Sequence, residues 1–500
     1  MPDILANIIM GFGVALTWQN IGLCFFGCLV GTAIGVLPGI GPLTTMALLL
    51  PVTFWLSPVG ALIMLSGVFY GAQYGGSTTA ILVKIPGETS SVVTVLDGYA
   101  MAQRGRAGPA LAIAAIGSLF AGSVVTLLIA VAGPPLASIA LLFHSADYVA
   151  VMLLGLVSAV VLAHGSALKA VAMIVLGVLL GLVGTDVSTG EYRLTMGIDV
   201  LFDGIGFVPL SMGLFGLAEI MVNLESGNTA EMHAKPVTGL WPTLADLKQS
   251  FAAMVRGTAV GAAFGILPGG GPTIAAFSAY SLEKRVSRSP ERFGRGAIEG
   301  VAAPESANNA AAQACFIPML SLGIPPNALM ALMIGAMMVH GITPGPEIIA
   351  KQPTLFWGLI ASMWVGNVML VILNLPLIGI WVKLLQVPYA YLFPSILILC
   401  CIGTFTLSSS SGDVIVMTVF GVIGYAFRKL DCEPAPLLLG LVLGPMLEEN
   451  FRRAMVLSDG DWSVFVRRPI SLVFLLLAAG LLAAVMLPNI RRGREEAFRE

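Results

Sequence analysis

Residues 27–42 read GCLVGTAIGVLPGIGP, and residues 257–272 read GTAVGAAFGILPGGGP. The two stretches lie 230 residues apart and are identical at ten of sixteen positions. Proline removes a backbone donor and glycine tolerates a positive φ, so a helix is expected to stop at each Leu-Pro-Gly-x-Gly-Pro segment. The chain therefore contains an internal repeat, and each copy is an interrupted helix.

A glycine stands at the first, fifth and ninth positions of each copy. Small residues at every fourth position of an apolar helix let another helix backbone approach closely. Ordinary helix packing explains this ladder, and no binding role follows from it alone. The glycines are Gly27, Gly31 and Gly35 in the first copy and Gly257, Gly261 and Gly265 in the second.

The composition is that of an integral membrane protein. Of the 500 residues, 57 % are hydrophobic and 10 % are charged, and the mean hydropathy is +0.93. A soluble domain carries about 25 % charged residues. Apolar blocks of bilayer-spanning length predict an all-α, polytopic membrane protein with roughly ten to twelve transmembrane helices. The net charge of −2 gives no indication of nucleic-acid binding.

A second interruption follows each copy of the repeat. Ile85-Pro86-Gly87 comes after the polar segment Tyr74–Thr79, and Gly323-Ile324-Pro325-Pro326 comes after Pro304–Asn309. Basic residues follow the second break in the first half but the first break in the second half. Because Lys and Arg accumulate in cytoplasmic loops, this exchange predicts two repeats of inverted topology with broken or re-entrant helices.

Matched breaks in two halves point to a transport site. Unpaired backbone at membrane depth is tolerated where it is buried in protein or lines a wet cavity. Free amides at helix starts suit a carboxylate, while free carbonyls with Asn, Ser and Thr oxygens suit Na⁺. The predicted substrate-binding residues are Pro38, Gly39, Gly41, Ser77, Thr78, Thr79, Lys84, Pro86, Gly87, Pro268, Gly269, Gly271, Asn308, Asn309, Gly323 and Pro325.

The coupling ion is expected to be Na⁺ or H⁺, and a Na⁺ site is predicted near Glu305, Ser306, Asn308 and Asn309. No organic cofactor is expected. Adjacent amides at Asn308 and Asn309 are costly in an apolar stretch without partners, which favours a functional role. Ser and Thr in a membrane helix, by contrast, commonly bond back to their own backbone.

Several ionisable groups have an ordinary interpretation beside the functional one. Lys84 could bind a substrate carboxylate, or it could pair with Glu88 or reach the interface. Glu305 could bind a coupling ion, or it could cap a helix starting near Pro304. Glu283 and Asp97 are expected to lie on solvated loops.

Around the two repeats the pattern divides the chain into six segments. The predicted segments are 1–20, an N-terminal interfacial helix; 21–135, the first transport repeat; 136–249, scaffold helices and a cytoplasmic loop; 250–350, the second transport repeat; 351–490, C-terminal scaffold helices; and 491–500, a charged tail. Arginines flank the last predicted span on both sides, which conflicts with a simple positive-inside assignment.

Enzyme signatures are absent from the sequence, which contains no HExxH, GxxxxGK[ST] or GxSxG pattern. We therefore expect a protein that is not an enzyme and that draws energy from an ion gradient or a partner. An ion channel would also explain broken helices and small polar residues, but it would conduct without substrate. A membrane-embedded enzyme is the third class, disfavoured because no catalytic constellation is present.

The motifs LPGIGP and YGGSTTAILVKIPG, followed by LPGGGP and PESANNAAAQACFIPMLSLGIPP, resemble those of the large membrane subunit of the tripartite tricarboxylate transporters, the TctA family. The resemblance covers nearly the whole chain. It departs from the expected pattern at Pro326, which stands where Gly87 stands in the first half.

This resemblance implies a multi-pass protein of the bacterial inner membrane that works with a small membrane subunit and a periplasmic solute-binding protein. It implies uptake of citrate or related organic carboxylates, driven by Na⁺ or H⁺. A carboxylate transporter that works without a binding protein remains an alternative. The motif segments that carry the resemblance are the implied substrate and ion site.

Overall fold

The computed structural model describes residues 4–37, 41–162, 166–186, 189–226, 237, 239–267, 271–384 and 389–486. Within these residues the chain is almost wholly helical. The strands described there are a two-residue antiparallel pair, β1 (Gly184–Thr185) and β2 (Tyr192–Arg193). The predicted all-α class is confirmed for this part of the chain.

The first repeat contains the first predicted interruption. It follows the N-terminal helix α1 (Ile4–Ala15), and its helices are α2 (Trp18–Val36), α3 (Pro42–Thr53), α4 (Pro58–Val83), α5 (Val92–Gln103) and α6 (Ala107–Ala140). Helix α2 stops at the Leu-Pro-Gly-x-Gly-Pro segment, and α3 begins at its last proline. A 3₁₀ turn, Thr89–Ser91, lies between α4 and α5.

The second repeat is interrupted in the same way. Its helices are α11 (Leu244–Ile266), α12 (Pro272–Val286), α13 (Glu299–Ala314), α14 (Phe316–Leu322), α15 (Ala328–Val339) and α16 (Glu347–Lys351). Between the repeats lie α7 (Ser145–Leu162), α8 (Ala167–Gly181), α9 (Phe207–Ser211), a π-helical stretch (Met212–Leu217) and α10 (Ala218–Ser226).

The remaining helices follow the second repeat. They are α17 (Pro353–Asn374), α18 (Ile378–Leu384), α19 (Tyr389–Ser408), α20 (Ser411–Lys429), α21 (Ala435–Leu457), α22 (Val464–Arg467) and α23 (Pro469–Met486). The predicted charged tail, 491–500, lies outside the described residues.

Among the described residues, five helical segments are long and apolar enough to cross a bilayer unaided. They are Trp18–Val36, Ala107–Ala140, Phe207–Glu225, Pro353–Asn374 and Ser411–Lys429. Shorter apolar helices, including α3, α8 and α15, add to these. The chain is therefore a multi-pass membrane protein, while the total of ten to twelve spans stays a prediction.

At both glycine ladders, the backbones of two helices are in direct contact. A Cβ atom at Gly27, Gly31 or Gly35 would lie 2.1–2.3 Å from a carbonyl oxygen of α4, and one at Gly257, Gly261 or Gly265 would lie 2.2–2.5 Å from one of α13. The contacted carbonyls belong to Met64, Val68 and Ala72 in the first half and to Ala303, Ala307 and Ala311 in the second, each pair 239 residues apart. The two halves thus contain the same tightly packed helix pair.

The interrupted segments of the two halves also contact each other. Helix α3 packs against α15, and α12 packs against the 3₁₀ turn and α5. Thr89 Oγ1 of the 3₁₀ turn lies 2.9 Å from Thr273 Oγ1 of α12. The segment after the second break of one half therefore touches the helix that follows the first break of the other half.

Ion pairs account for the arginines that precede the last helix. Arg452 bonds to Asp186 and Glu448, and Arg468 makes a bidentate contact with the fully buried Asp147. Carboxylates of Glu449 and Asp461 pair with Arg453 and Arg467. Arg452 and Arg468 thus join separate segments, whereas Arg453 and Arg467 pair locally, and the positive-inside conflict involves paired charges.

Candidate functional site

Glu305 is the centre of a buried polar site shared by the two halves. Its side chain lies in the middle of α13 and is 1 % exposed. One carboxylate oxygen accepts a hydrogen bond from Ser77 Oγ of α4 at 2.5 Å, and the other accepts one from Thr94 Oγ1 of α5. No ion pair of Glu305 occurs among the described residues. A buried carboxylate is costly without a compensating charge, so this group requires a proton or a cation.

The hydroxyl of Ser77 faces two acceptors. Besides the Glu305 carboxylate, the carbonyl oxygen of Gln73 lies 2.9 Å from Ser77 Oγ. A hydroxyl has one proton to donate. When Glu305 is charged, its carboxylate accepts the hydrogen bond from Ser77. When Glu305 is protonated, it can donate a hydrogen bond to Ser77 Oγ, and the Ser77 hydroxyl can then donate to the Gln73 carbonyl. The local bonding pattern can therefore follow the charge of Glu305.

A small cavity of about 10 Å³ adjoins this carboxylate. Its polar lining comes from Glu305, from Tyr74, Ser77 and Thr78 of α4, from Ser118 of α6 and from Asn374 of α17. The Oδ1 atom of Asn374 is buried and has no hydrogen-bond partner among the described residues. A space of this size holds about one water molecule or a particle of similar size.

The amides of Asn308 and Asn309 have different surroundings. Asn309 donates to Ser118 Oγ at 2.6 Å and to the carbonyl of Glu305 at 3.2 Å. Asn308 is fully buried, and neither of its amide atoms has a hydrogen-bond partner in the described part of the chain. The hydroxyl of Ser306 is also buried and unpartnered there. The buried polar residues of α13 thus include hydrogen-bond donors and acceptors that have no partner among the described residues.

The threonines of α4 fit the ordinary interpretation more closely. Thr78 Oγ1 donates to the carbonyl of Tyr74 at 3.2 Å, one turn earlier. Thr79 Oγ1 lies 3.1 Å from the carbonyl of Val36, the last residue of α2, and 3.3 Å from that of Gly75. Thr78 lines the cavity, whereas Thr79 ties α4 to the end of the interrupted helix.

Lys84 ends α4 in a left-handed conformation, with φ 63° and ψ 18°. Its side chain is exposed and forms no ion pair among the described residues, so the predicted pairing with Glu88 is absent there. The ammonium lies 6.0 Å from the ring centroid of Tyr99. Glu88 instead caps the 3₁₀ turn, where its side chain and backbone bond to Ser90 and Ser91.

Helices α3 and α12, which follow the first break of each half, begin in the same way. Gly41 and Gly271 are their N-cap residues, a proline follows each, and neither helix has a side-chain cap. The first amides of both helices are therefore not bonded by a capping side chain. The predicted residues Pro38, Gly39, Pro268 and Gly269 lie outside the described residues.

The other predicted break residues lie where two helices converge. A Cβ atom at Gly87 would lie 1.9 Å from the carbonyl oxygen of Gly35, so the second break of the first half contacts the end of α2. Gly323 ends α14 with φ 72°, and Pro325 follows it in the break before α15. Ser77, Thr78 and Glu305 share one cavity, but Lys84 and Asn308 are not part of its lining.

Two expectations about charged residues are wrong, and one of the two alternatives for Glu305 is excluded. Glu305 does not cap a helix, because α13 begins at Glu299 and continues through Pro304. Asp97 lies inside α5, fully buried, and accepts hydrogen bonds from the backbone amides of Gly296 and Ala297 at 2.7 Å. Glu283 is buried and paired with Arg256 of α11, because α11 and α12 pack side by side.

Sequence reasoning missed Thr94, Ser118 and Asn374. Each is a polar residue in or at the end of an apolar helix. Asn374 comes from a segment predicted as scaffold, and the role of Ser118 depends on the packing of α6 against α13. The signal that could have found them is the presence of a hydroxyl or an amide within an otherwise apolar block.

The fold and the site define a multi-pass membrane protein with a buried polar centre between two sets of interrupted helices. The model of the tripartite tricarboxylate transporter TctA family matches residues 21–439. The chain belongs to this family of transporters, and the resemblance drawn from its motifs is confirmed.

Two relatives from Agrobacterium vitis are described only by their genetic position. The first, an uncharacterized 52.8 kDa protein in the TAR-I ttuC' 3' region, is 55 % identical over 500 residues, which is 100 % of both chains. The second, an uncharacterized protein in the TAR-II ttuC' 3' region, is 55 % identical over 240 residues, 48 % of this chain and 99 % of that protein. No solved structure matches the chain.

Proposed function

We propose that this protein is the large transmembrane subunit of a binding-protein-dependent secondary transporter that imports tricarboxylates or related organic carboxylates, driven by a Na⁺ or H⁺ gradient. The observation that carries the proposal is the position of Glu305. This buried carboxylate joins α13 of the second half to α4 and α5 of the first, and no described cation neutralises it.

The coupling ion occupies the cavity beside Glu305. Sodium prefers oxygen ligands, and the cavity offers a carboxylate, two serine hydroxyls and the unpartnered Oδ1 of Asn374. A proton on Glu305 would satisfy the same carboxylate. In either case, loading the ion removes the charge that opposes movement of this region through a low-dielectric environment.

The substrate carboxylates are held at the helix breaks. The uncapped starts of α3 and α12 carry free amides and the positive ends of helix dipoles, both suited to anions. Lys84, at the end of α4, adds a cation that forms no ion pair among the described residues. Contact between Thr89 and Thr273 brings one half's second break to the start of α12, so both halves contribute to one region.

An inverted arrangement of the halves accounts for the connections. Helix α4 has 26 residues and is about 39 Å long, enough to cross the bilayer core of about 30 Å. The loop after α5 is tied to the start of α11 by Arg106 and Asp246, 2.5 Å apart. This contact supports the proposed inversion, in which α11 begins at the face where α5 ends and α2 begins at the opposite face.

Uptake by the reconstituted system tests this proposal. The chain would be placed in proteoliposomes with its small membrane subunit, and the periplasmic binding protein and radiolabelled citrate would be added outside. A Na⁺ gradient at equal pH and a pH gradient without Na⁺ are then imposed separately. Accumulation driven by one gradient and dependent on the binding protein supports the proposal. A current without any carboxylate would instead identify a channel.

A further inference from the structure

A second buried carboxylate, Asp97, lies one helical turn after Thr94 on α5. Its side chain is fully buried, and it forms no ion pair among the described residues. Asp97 Oδ1 accepts hydrogen bonds from the backbone amides of Gly296 and Ala297, both at 2.7 Å, and Oδ2 accepts one from the hydroxyl of Tyr280 at 3.0 Å. Three donors therefore satisfy a carboxylate that would be costly to bury without partners.

These donors belong to the second half of the chain. The two backbone amides come just before α13, whose first residue is Glu299, and Tyr280 belongs to α12. The positive end of the α13 dipole favours a carboxylate at this place. The approach is close, because a Cβ atom at Gly300, in the first turn of α13, would lie 2.2 Å from Asp97 Oδ2. Asp97 therefore ties α5 to α12 and to the start of α13.

The same face of α5 carries the contact with Glu305. Thr94 Oγ1 donates to the Glu305 carboxylate, and Thr94 precedes Asp97 by three residues, so the two side chains lie on one face of the helix. Asp97 is bonded at the start of α13, whereas Thr94 is bonded in its middle. Two attachments at separate heights fix both the position of α5 along α13 and its rotation.

Apolar packing between these elements is less exact than the hydrogen bonds of Asp97. Val93, Tyr280, Phe293 and Ala297 form a small buried apolar cluster of their own. The hydrophobic effect is non-directional, so such contacts tolerate small shifts of one helix along another. A hydrogen bond, by contrast, weakens steeply when its donor and acceptor separate or tilt. The bond between Thr94 and Glu305 requires accuracy of the second kind.

We propose that Asp97 is a positioning residue for the coupling-ion site and that, through α5, it holds Thr94 at hydrogen-bond distance from the Glu305 carboxylate. Asp97 itself is absent from the lining of the cavity beside Glu305. This role rests on the proposed function, in which the coupling ion binds at Glu305. Changes at Asp97 should therefore alter the response of uptake to the ion, and not only the amount of folded protein.

Uptake of radiolabelled citrate by the reconstituted three-component system measures this role. The quantity compared is the concentration of the driving ion, Na⁺ or H⁺, that gives half-maximal uptake. Asp97→Ala removes the acceptor of three hydrogen bonds and should shift this concentration about tenfold. Asp97→Asn keeps an oxygen for both backbone amides and should restore nearly the wild-type value. Wild-type uptake that follows neither ion would refute the proposed function, whereas an unshifted Asp97→Ala in an ion-dependent system would refute the positioning role alone.

A double variant separates positioning from general stability. Thr94→Val removes only the hydroxyl that bonds Glu305, and it should shift the half-maximal ion concentration by a factor similar to that of Asp97→Ala. If Asp97 acts through Thr94, adding Asp97→Ala to Thr94→Val should produce no further shift. Two shifts that multiply in the double variant would show that Asp97 acts independently of Thr94 and would overturn the proposal.

Asp147→Ala is the matched control, because Asp147 is also a fully buried aspartate but pairs with Arg468. It should lower the folded yield and leave the half-maximal ion concentration unchanged. Tyr280→Phe serves if Asp97→Ala does not fold. It removes one hydrogen bond to Asp97, keeps a ring against Phe293, and should give a smaller shift in the same direction as Thr94→Val. An equal shift in Asp147→Ala, or wild-type ion dependence in Tyr280→Phe, would contradict the proposal.

Discussion

Lys84 and Gly323 end corresponding helices in nearly the same left-handed conformation, with φ/ψ of 63°/18° and 72°/21°. They are 239 residues apart, the same separation as the carbonyls that receive the two glycine ladders. Glycine adopts this conformation without strain, whereas another residue costs about 1–2 kcal/mol. The first half therefore keeps a strained lysine where the second half has glycine.

Replacing this lysine separates its charge from its backbone role. Lys84→Gly should preserve thermal stability, because glycine suits the left-handed conformation. The same variant should strongly reduce carboxylate uptake, because the cation proposed to hold the substrate is gone. Lys84→Arg keeps the charge and should retain part of the activity. Normal uptake by Lys84→Gly would remove Lys84 from the substrate site.

Neutralising Glu305 should uncouple transport from the gradient. Glu305→Gln resembles the protonated state and cannot attract a cation, so concentrative uptake should be lost. Exchange of labelled for unlabelled substrate across proteoliposomes should persist. Glu347→Gln, which removes an exposed carboxylate paired with Lys351, is the control and should behave as wild type. Gradient-driven uptake by Glu305→Gln would exclude Glu305 as the coupling residue.

Asn308 offers a test of function apart from stability. Its amide has no partner among the described residues, so Asn308→Ala breaks no hydrogen bond seen there and should leave the thermal midpoint almost unchanged. Uptake should nevertheless fall. Asn309→Ala should lower both quantities, because Ser118 loses its donor. Wild-type uptake by Asn308→Ala would assign this amide a packing role only.

The glycine ladder should tolerate no side chain. Gly31→Ala would place Cβ 2.3 Å from the carbonyl oxygen of Val68, so α2 and α4 must separate. Overpacking of this kind costs about 1–3 kcal/mol, and the folded yield and thermal midpoint should fall. Gly22→Ala, in the same helix, meets nothing within 4 Å and is the matched control. Equal midpoints for the two variants would contradict the observed packing.

The sequence predicts the interrupted helices well because their cause is local. Proline and glycine stop a helix wherever they occur as Pro-Gly-x-Gly-Pro, and α2 and α11 end there as expected. Pro304 shows the limit of this reasoning. It lies inside α13, since neighbouring helices compensate for a missing backbone bond in a membrane protein.

The candidate site is only partly predictable because its partners are distant in sequence. Glu305 was identifiable as a charge within an apolar stretch. Its partner Ser77 was identifiable from the polar segment of the first half, but Thr94 is brought to it by helix packing alone, which leaves no local pattern. The same holds for Asn374, which reaches the cavity from α17, outside both repeats.

The meeting of the two halves can be measured directly through Thr89 and Thr273, whose hydroxyl oxygens are 2.9 Å apart. In a background without the six native cysteines, Thr89→Cys and Thr273→Cys are combined and oxidised in proteoliposomes. The pair should form a disulfide that stops carboxylate uptake, and reduction should restore uptake. Failure to cross-link, or full uptake by the cross-linked protein, would show that the two interrupted segments do not form one working site.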